Sequence, residues 1–285
     1  MHNTNTALAD LQFSSILSSL TNPSLEDPDK SLQQALSFRN RAARLRHKAG
    51  CDTFWLHPRF RSWAESPSSS LIMVQGTFSG RAAMRTCLVN AIEQIRLANA
   101  TALWALKVAD PTGLPSPTAP PISTVDLIKY LTAQALRSGP APTERSLALS
   151  CARFQSARGE KEWANLLAAG LAELKRVFIV ADIELLSREL ACSPQEAFTL
   201  PESLAEVFAL LKTRAPGVVV KVLLASYGSP LFGVASEAAR RDLLLAGKAR
   251  PQRVVAIRAG RRASGLSAGR GQLRRGFGFE RTRVS

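Results

Sequence analysis

The sequence predicts an α/β fold, a parallel sheet covered on both faces by helices. Three observations predict it. Short apolar runs without polar alternation recur at residues 70–75, 101–109, 177–182 and 218–225, and strands apolar at every position are buried on both faces. Segments with apolar residues at helical spacing separate these runs, which is the alternation of a layered helix–sheet–helix body. The first strand is followed at once by a glycine turn and a helix, the order in which such folds present a ligand at the carboxyl edge of the sheet.

Taken in order, residues 1–50 scatter apolar positions among Ser, Asn, Asp and Arg, with an amphipathic stretch from Leu32 to Lys48, and read as a helical, mobile N-terminal arm. Trp55, Phe60 and Trp63 crowd nine residues in a chain with 6% aromatics; large aromatics serve packing first, so this segment reads as a clamp on the strand that follows. Ser70–Gln75 is the first strand. In the helix after the turn, Met84, Cys87, Leu88, Ala91, Ile92 and Ile95 make one apolar face, with Arg85 and Arg96 read as solvent-facing. Thr101–Ala109 is the second strand. Five prolines between Asp110 and Ser123 mark a surface loop. Thr124 is placed to cap a buried helix running through Leu136, with Asp126 decorating its start. Trp163, Leu166, Leu167, Leu171 and Leu174 form the next helical face, leading into the strand Val177–Asp182. Pro201, Ser203 and Glu206 frame a capped helix, and Val218–Ala225 is the last strand expected, ending at Ser226-Tyr227. The domains are therefore a helical arm (1–50), the α/β body (51–235) and a basic tail (236–285).

Charge and cysteines bound the function. The formal charge is +15, of which residues 240–285 carry a net +11 and the first 239 residues only +4. A nearly balanced body argues against a folded nucleic-acid-binding face, while the Gly-, Ser- and Arg-rich tail reads as disordered, with RNA or acidic proteins as its possible ligands. Cys51, Cys87, Cys151 and Cys192 are widely spaced and only three histidines exist, so neither a zinc module nor a redox motif is supported and reduced thiols are expected. His57 has no nucleophile nearby in sequence and reads as structural. No apolar run reaches the length of a membrane span, so a cytoplasmic protein without membrane contact is expected.

The chemistry-bearing positions fall at three strand ends. Gly76-Thr77-Phe78-Ser79-Gly80-Arg81-Ala82 resembles a phosphate-binding P-loop, G-x-x-x-x-G-K-[ST], shortened by one residue, with Arg81 where lysine belongs and Ala82 where a magnesium-holding hydroxyl belongs. Arginine is planar and bulkier than a compact ammonium, and alanine removes a metal ligand. Asp182, with Glu184 behind it, follows one later strand, and Ser226 follows another. This is the layout of a three-layer P-loop NTPase: phosphate cradle, acidic group for magnesium and catalysis, and γ-phosphate sensor.

The segment Trp55-Leu56-His57-Pro58, Phe60, Trp63 and Ser66-Pro67-Ser68-Ser69-Ser70-Leu71 resembles the lead-in to the nucleotide-binding domain of fungal STAND ATPases, the NACHT-like, nephrocystin-3-type proteins. Ile122-Ser123, Val125-Asp126-Leu127, Lys129-Tyr130-Leu131 and Gln134-Ala135-Leu136, with Val177 through Glu184, are similar to later blocks of that family; the resemblance spans residues 50–230. It implies a nucleotide-controlled oligomerisation switch that binds ATP or GTP with Mg2+, with Gly76, Ser79, Gly80, Arg81 and Ala82 at the phosphates, Asp182 at the metal and in catalysis, Glu184 as its catalytic neighbour, and Ser226 as sensor. Protein partners or further copies of the chain follow from the same resemblance. The altered loop implies weak or no hydrolysis, and leaves two alternatives: a pseudo-ATPase scaffold for protein interaction, or association with nucleic acid through residues 240–285.

Overall fold

In the computed structural model the described residues are 2–44, 57–77, 80–107, 122–139, 151–186, 199–227 and 243–246. Helices α1 (His2–Ser19), α2 (Pro28–Arg44) and α3 (Pro58–Glu65) precede strand β1 (Ser70–Gly76). Then come α4 (Arg81–Leu97), β2 (Thr101–Ala105), α5 (Thr124–Ser138), α6 (Glu160–Leu171), β3 (Arg176–Asp182), a 3-10 turn (Ile183–Leu186), α7 (Leu200–Arg214), β4 (Val219–Tyr227) and β5 (Leu243–Ala246). The five strands form one sheet in the order β2-β3-β4-β1-β5, and every pairing is parallel. The architecture is a three-layer α/β fold, an all-parallel sheet with helices on both faces.

Connectivity fixes which face each helix covers. From β1 the chain crosses over β4 and β3 to reach β2, and α4 lies on that crossover, packed against β2, β3 and β4. It then returns through β3 and β4 in the opposite direction, and a constant crossover hand requires α5, α6 and α7 on the other face. The core divides accordingly. Ile72, Val74, Trp104, Phe178, Val180, Leu223 and Tyr227 pack with α4, while Met73, Leu103, Val177, Ile179, Val220 and Val222 pack with α5, α6 and α7. This period of two is hidden in the sequence because both faces are apolar.

The helix ends have local causes. Helix α5 starts at Ser123, whose Oγ accepts from Asp126 N at 3.1 Å while Asp126 accepts in return from Ser123 N at 3.0 Å; the cap is this reciprocal box, one residue before the expected Thr124. Helix α4 ends where Asn99 takes a φ of 55° and Ala100 N donates to Ile95 O at 3.1 Å, the left-handed termination that Asn tolerates. The hydroxyls of Thr199 and Ser203, at the start of α7, donate to the Glu160 carboxylate of α6 at 2.7 and 3.0 Å, which ties the two helix starts together without a side-chain cap at Thr199. On the free edge of β2, Gln134 donates to Trp104 O at 2.8 Å and accepts from Trp104 N at 3.0 Å, standing in for an adjacent strand.

Residues 2–44, read as a mobile arm, form two helices tied to the body. Ile16 of α1 and Leu20 just beyond it enter one core and Leu32 of α2 the other. Trp104 Nε1 donates to Pro28 O at 2.8 Å and Tyr130 OH to Glu26 O at 2.9 Å. Arg39 of α2 pairs with Glu93 of α4 and donates to Asn90 Oδ1 at 2.9 Å. Phe60 and Trp63 form the clamp expected of them, with ring centroids 5.1 Å apart, Trp63 edge-on to Phe178, and Trp63 Nε1 donating to Ser70 O at 3.2 Å. His57 Nδ1 caps α3, accepting from Arg59 N at 3.3 Å.

Two expectations change. The apolar run Leu243–Ala246, assigned to the basic tail, pairs with β1 from Met73 to Gly76; net charge hid a strand whose four residues carry none. Cys87, buried on α4, is disulfide-bonded rather than a reduced thiol, because distance along the sequence does not report which sulfur atoms meet in space; Cys151 is a free thiol. Trp55, the proline-rich loop and the Gly-Arg segment lie outside the described residues. Among the described residues no helix is long and apolar enough to cross a membrane.

Lys221 is fully buried in mid-strand on the α4 face. Its Nζ donates to Ser68 O at 2.7 Å and Ser70 Oγ at 2.9 Å, neutral partners only. Burial, reinforced by the charge of Arg176, pushes its pKa down from 10.5 to about 8. Between those values the unfolded chain keeps the proton that the folded chain releases, so stability climbs as pH rises from about 8 to 10.5. Lys221→Met is expected to abolish that climb and to stabilise the protein near neutral pH by about 1–3 kcal/mol, read by urea unfolding across pH. Gln134→Leu strips both hydrogen bonds from the Trp104 backbone and is expected to cost about 1–3 kcal/mol in the same measurement.

Candidate functional site

Strands β1, β3 and β4 end side by side because their register aligns Gly76 with Tyr227 and Asp182 with Ala225. Alternation puts Asp182 on the face of Phe178 and Val180, and Tyr227 on the face of Leu223 and Ala225, which is the α4 face for both. Arg85, one turn into α4, therefore meets them. Tyr227 OH donates to Asp182 Oδ2 at 2.5 Å, and Arg85 Nε donates to the same hydroxyl at 2.8 Å with its guanidinium 5.3 Å from the Tyr227 ring centroid. Asp182 Oδ1 accepts from Glu184 N at 3.1 Å. Glu184 folds inward through the 3-10 turn, where its Oε1 accepts from Ser226 Oγ at 3.0 Å and Tyr227 N at 2.8 Å. Lys107, just past β2, donates to Glu184 O at 2.7 Å.

Burial dominates the electrostatics. Asp182 is 1% exposed, and desolvation raises its pKa from 3.8 to about 6 against the opposing pull of the Tyr227 hydrogen bond and the Arg85 charge. Tyr227 is raised well above the ordinary phenol range, by burial first and then by the charge of Asp182. Arg85, half-buried, makes no hydrogen bond through its two terminal nitrogens among the described residues.

A cavity of about 200 Å³ opens beside this cluster, and Arg81, Ala82, Arg85, Lys107 and Asp182 all line it, with Arg39 of α2. The sequence thus names three of its residues, Arg81, Ala82 and Asp182, and the fold brings them to one place. Arg39 is already paired with Glu93. Arg85 reaches Asp182 through the Tyr227 hydroxyl, and Arg81 and Lys107 complete a lining in which cationic side chains outnumber carboxylates.

The other predicted positions sit differently. Gly76 closes β1, where an added Cβ would stand 3.1 Å from the flexible end of the Met84 side chain. Gly80 caps α4 with φ −90°, and its N–H donates to Thr77 O at 2.8 Å, which makes a tight turn with one amide already engaged. Ser79 lies outside the described residues. Ser226 is buried on Glu184 and does not line the cavity. Sequence reasoning missed Arg85, read as solvent-facing, and gave no role to Tyr227 or Lys107. Arg85 lies four residues beyond Arg81 and hence on the same helical face, a signal that was present.

The donor set does not suit a magnesium ion. Ala82 has no side-chain oxygen to offer, both Asp182 oxygens accept internal hydrogen bonds, and among the described residues no three His, Cys, Asp or Glu side chains group as metal ligands.

No family model matches the chain, and no curated protein matches it. Among solved structures, the chain is similar to the Aeropyrum pernix ORC2 protein, solved in ADPNP-ADP complexes, with 10% identity, a TM-score of 0.40, and coverage of 68% of this chain and 45% of that one. The chain thus spans less than half the length of that neighbour. The site is read from its own geometry.

Removing the bridging hydroxyl with Tyr227→Phe leaves a buried carboxylate oxygen without its donor, an expected cost of about 1–3 kcal/mol. Adding Asp182→Asn should recover part of it, so the double variant loses less than the sum of the singles in urea unfolding. Because the folded protein holds the Asp182 proton between pH 3.8 and about 6 while the unfolded chain has released it, this group's contribution to stability falls as pH rises through that window. Asp182→Asn is expected to remove the fall.

Proposed function

We propose that this protein is a divergent nucleotide-binding domain of the STAND/NACHT-like kind, which takes the phosphates of ATP or GTP in the cavity at the carboxyl edge of the sheet and hydrolyses them weakly or not at all. The observation that carries the reading is the shared lining: Arg81 and Ala82 of the helix after the glycine turn and Asp182 of β3 border one cavity with Arg85 and Lys107. Side-chain cations in a half-enclosed site hold a polyphosphate where the shortened turn has fewer amides to spare.

Weak hydrolysis follows from the same contacts. A water-orienting or metal-holding carboxylate must face the substrate, whereas each oxygen of Asp182 accepts an internal hydrogen bond and Glu184 points at Ser226 and Tyr227. The proposal therefore assigns Gly76, Ser79 and Gly80 to the shape of the turn, Arg81 to the phosphates, and Asp182 and Glu184 to the internal network, with no catalytic step routed through a metal. The engagement of these carboxylates in an internal network also favours a second reading, a pseudo-ATPase whose sheet is a scaffold for protein partners; association with nucleic acid through residues 240–285 belongs to the tail and is independent of the site.

Isothermal titration with ATP and with GTP, in EDTA and in excess Mg2+, tests the proposal. Binding is expected to persist in EDTA, and Arg81→Ala, at an exposed position, to weaken it about tenfold by loss of one charge-assisted contact. Phosphate release should stay at the buffer rate. Absence of binding at several millimolar nucleotide would overturn the nucleotide reading and leave the scaffold.

A further inference from the structure

The lining of the cavity is two-sided. Beside the cations of α4 and Lys107, Ala35 and Phe38 of α2 contribute apolar lining, together with Val89 and Leu106. Phe38 is 43% exposed, one of the large apolar side chains left facing solvent among the described residues, and it borders this cavity, whereas Leu11 and Leu97 do not. A planar group already rests on it: the guanidinium of exposed Arg41 lies 5.6 Å from the Phe38 ring centroid. Helix α2 cannot easily move away from this position, because Arg39, next to Phe38, is bound to Glu93 and Asn90 of α4.

Volume divides the work between the two sides. At about 200 Å³ the cavity is smaller than the roughly 300–1,000 Å³ of sites that enclose a whole small molecule, so it accommodates the phosphates while a base stays at the mouth. We infer that Phe38 is a stacking platform for the nucleobase, with the terminal nitrogens of Arg85 and the Arg81 side chain holding the phosphates inside, so that the ligand is a nucleotide bound without metal and with little discrimination between adenine and guanine. Stacking is indifferent to base identity because every base offers a π-face, and the guanidinium of Arg41 occupies the place that the base takes. This inference rests on the phosphate-site reading and adds to it the part of the ligand that recognises α2.

Titrations in EDTA with ATP, GTP and inorganic tripolyphosphate, on the full chain and on Phe38→Ala and Phe38→Trp, separate the two. ATP and GTP are expected to bind within a few-fold of one another and about tenfold more tightly than tripolyphosphate, the worth of one stacked base. Phe38→Ala should erase that advantage and leave tripolyphosphate affinity unchanged, while Phe38→Trp should preserve it. If tripolyphosphate binds as well as ATP, or if Phe38→Ala weakens both alike, the platform is overturned and the phosphate site stands. If no anion binds, both readings fall. Circular dichroism of the Phe38 variants, altered at a largely exposed side chain, checks that the fold is retained.

Discussion

The hydroxyl of Tyr227 stands between a carboxylate that burial would otherwise neutralise and an arginine that would otherwise have no partner in the core, and the carboxyl edge of the sheet is organised around it. Asp182 cannot sit dry at the end of β3 without donors. One comes from the backbone of Glu184, which bends the chain into the 3-10 turn, and the other from Tyr227. That bend sends the Glu184 side chain back to Ser226 and the Tyr227 amide, so β3 and β4 are locked at their ends as well as along their ladder. Arg85 completes the arrangement from α4 and ties the helix after the glycine turn to the same point.

This economy has a consequence for chemistry. A site built for hydrolysis keeps acidic oxygens available and surrounds a phosphate with backbone amides. Here the acidic oxygens each accept internal hydrogen bonds, and the Gly80 amide closes its own turn at Thr77. Arginine and lysine side chains line the half-enclosed cavity beside them. The proposed function separates binding from hydrolysis on this ground: cationic side chains attract an oxyanion without the cradle of a phosphate loop.

The two helices before the sheet give the cavity its second wall. Their anchoring is specific: Trp104 and Tyr130 each direct a polar atom to the backbone between α1 and α2 or at the start of α2, at Pro28 and Glu26. Large aromatic side chains with a polar tip suit this task because they bury area and still satisfy a carbonyl. The charge pair of Arg39 with Glu93 then sets α2 against α4 at the height of the cavity.

The layered fold was legible in the sequence because fully apolar strands alternating with helical periods leave few other ways to bury both. The strands at Ser70, Thr101, Val177 and Val218 and the helix after the glycine turn could be read directly. Face assignment could not: when both sides of a strand are apolar the period of two is silent, so the meeting of Asp182, Tyr227 and Arg85 depended on register and crossover hand. Leu243–Ala246 was hidden by the charge around it, and Arg85 by the habit of reading arginine on a helix as solvated. Local chemistry determined where strands and helices form; only tertiary packing decided which polar side chains would be forced together in the dry interior, because a buried carboxylate takes whichever donors the neighbouring elements carry to it.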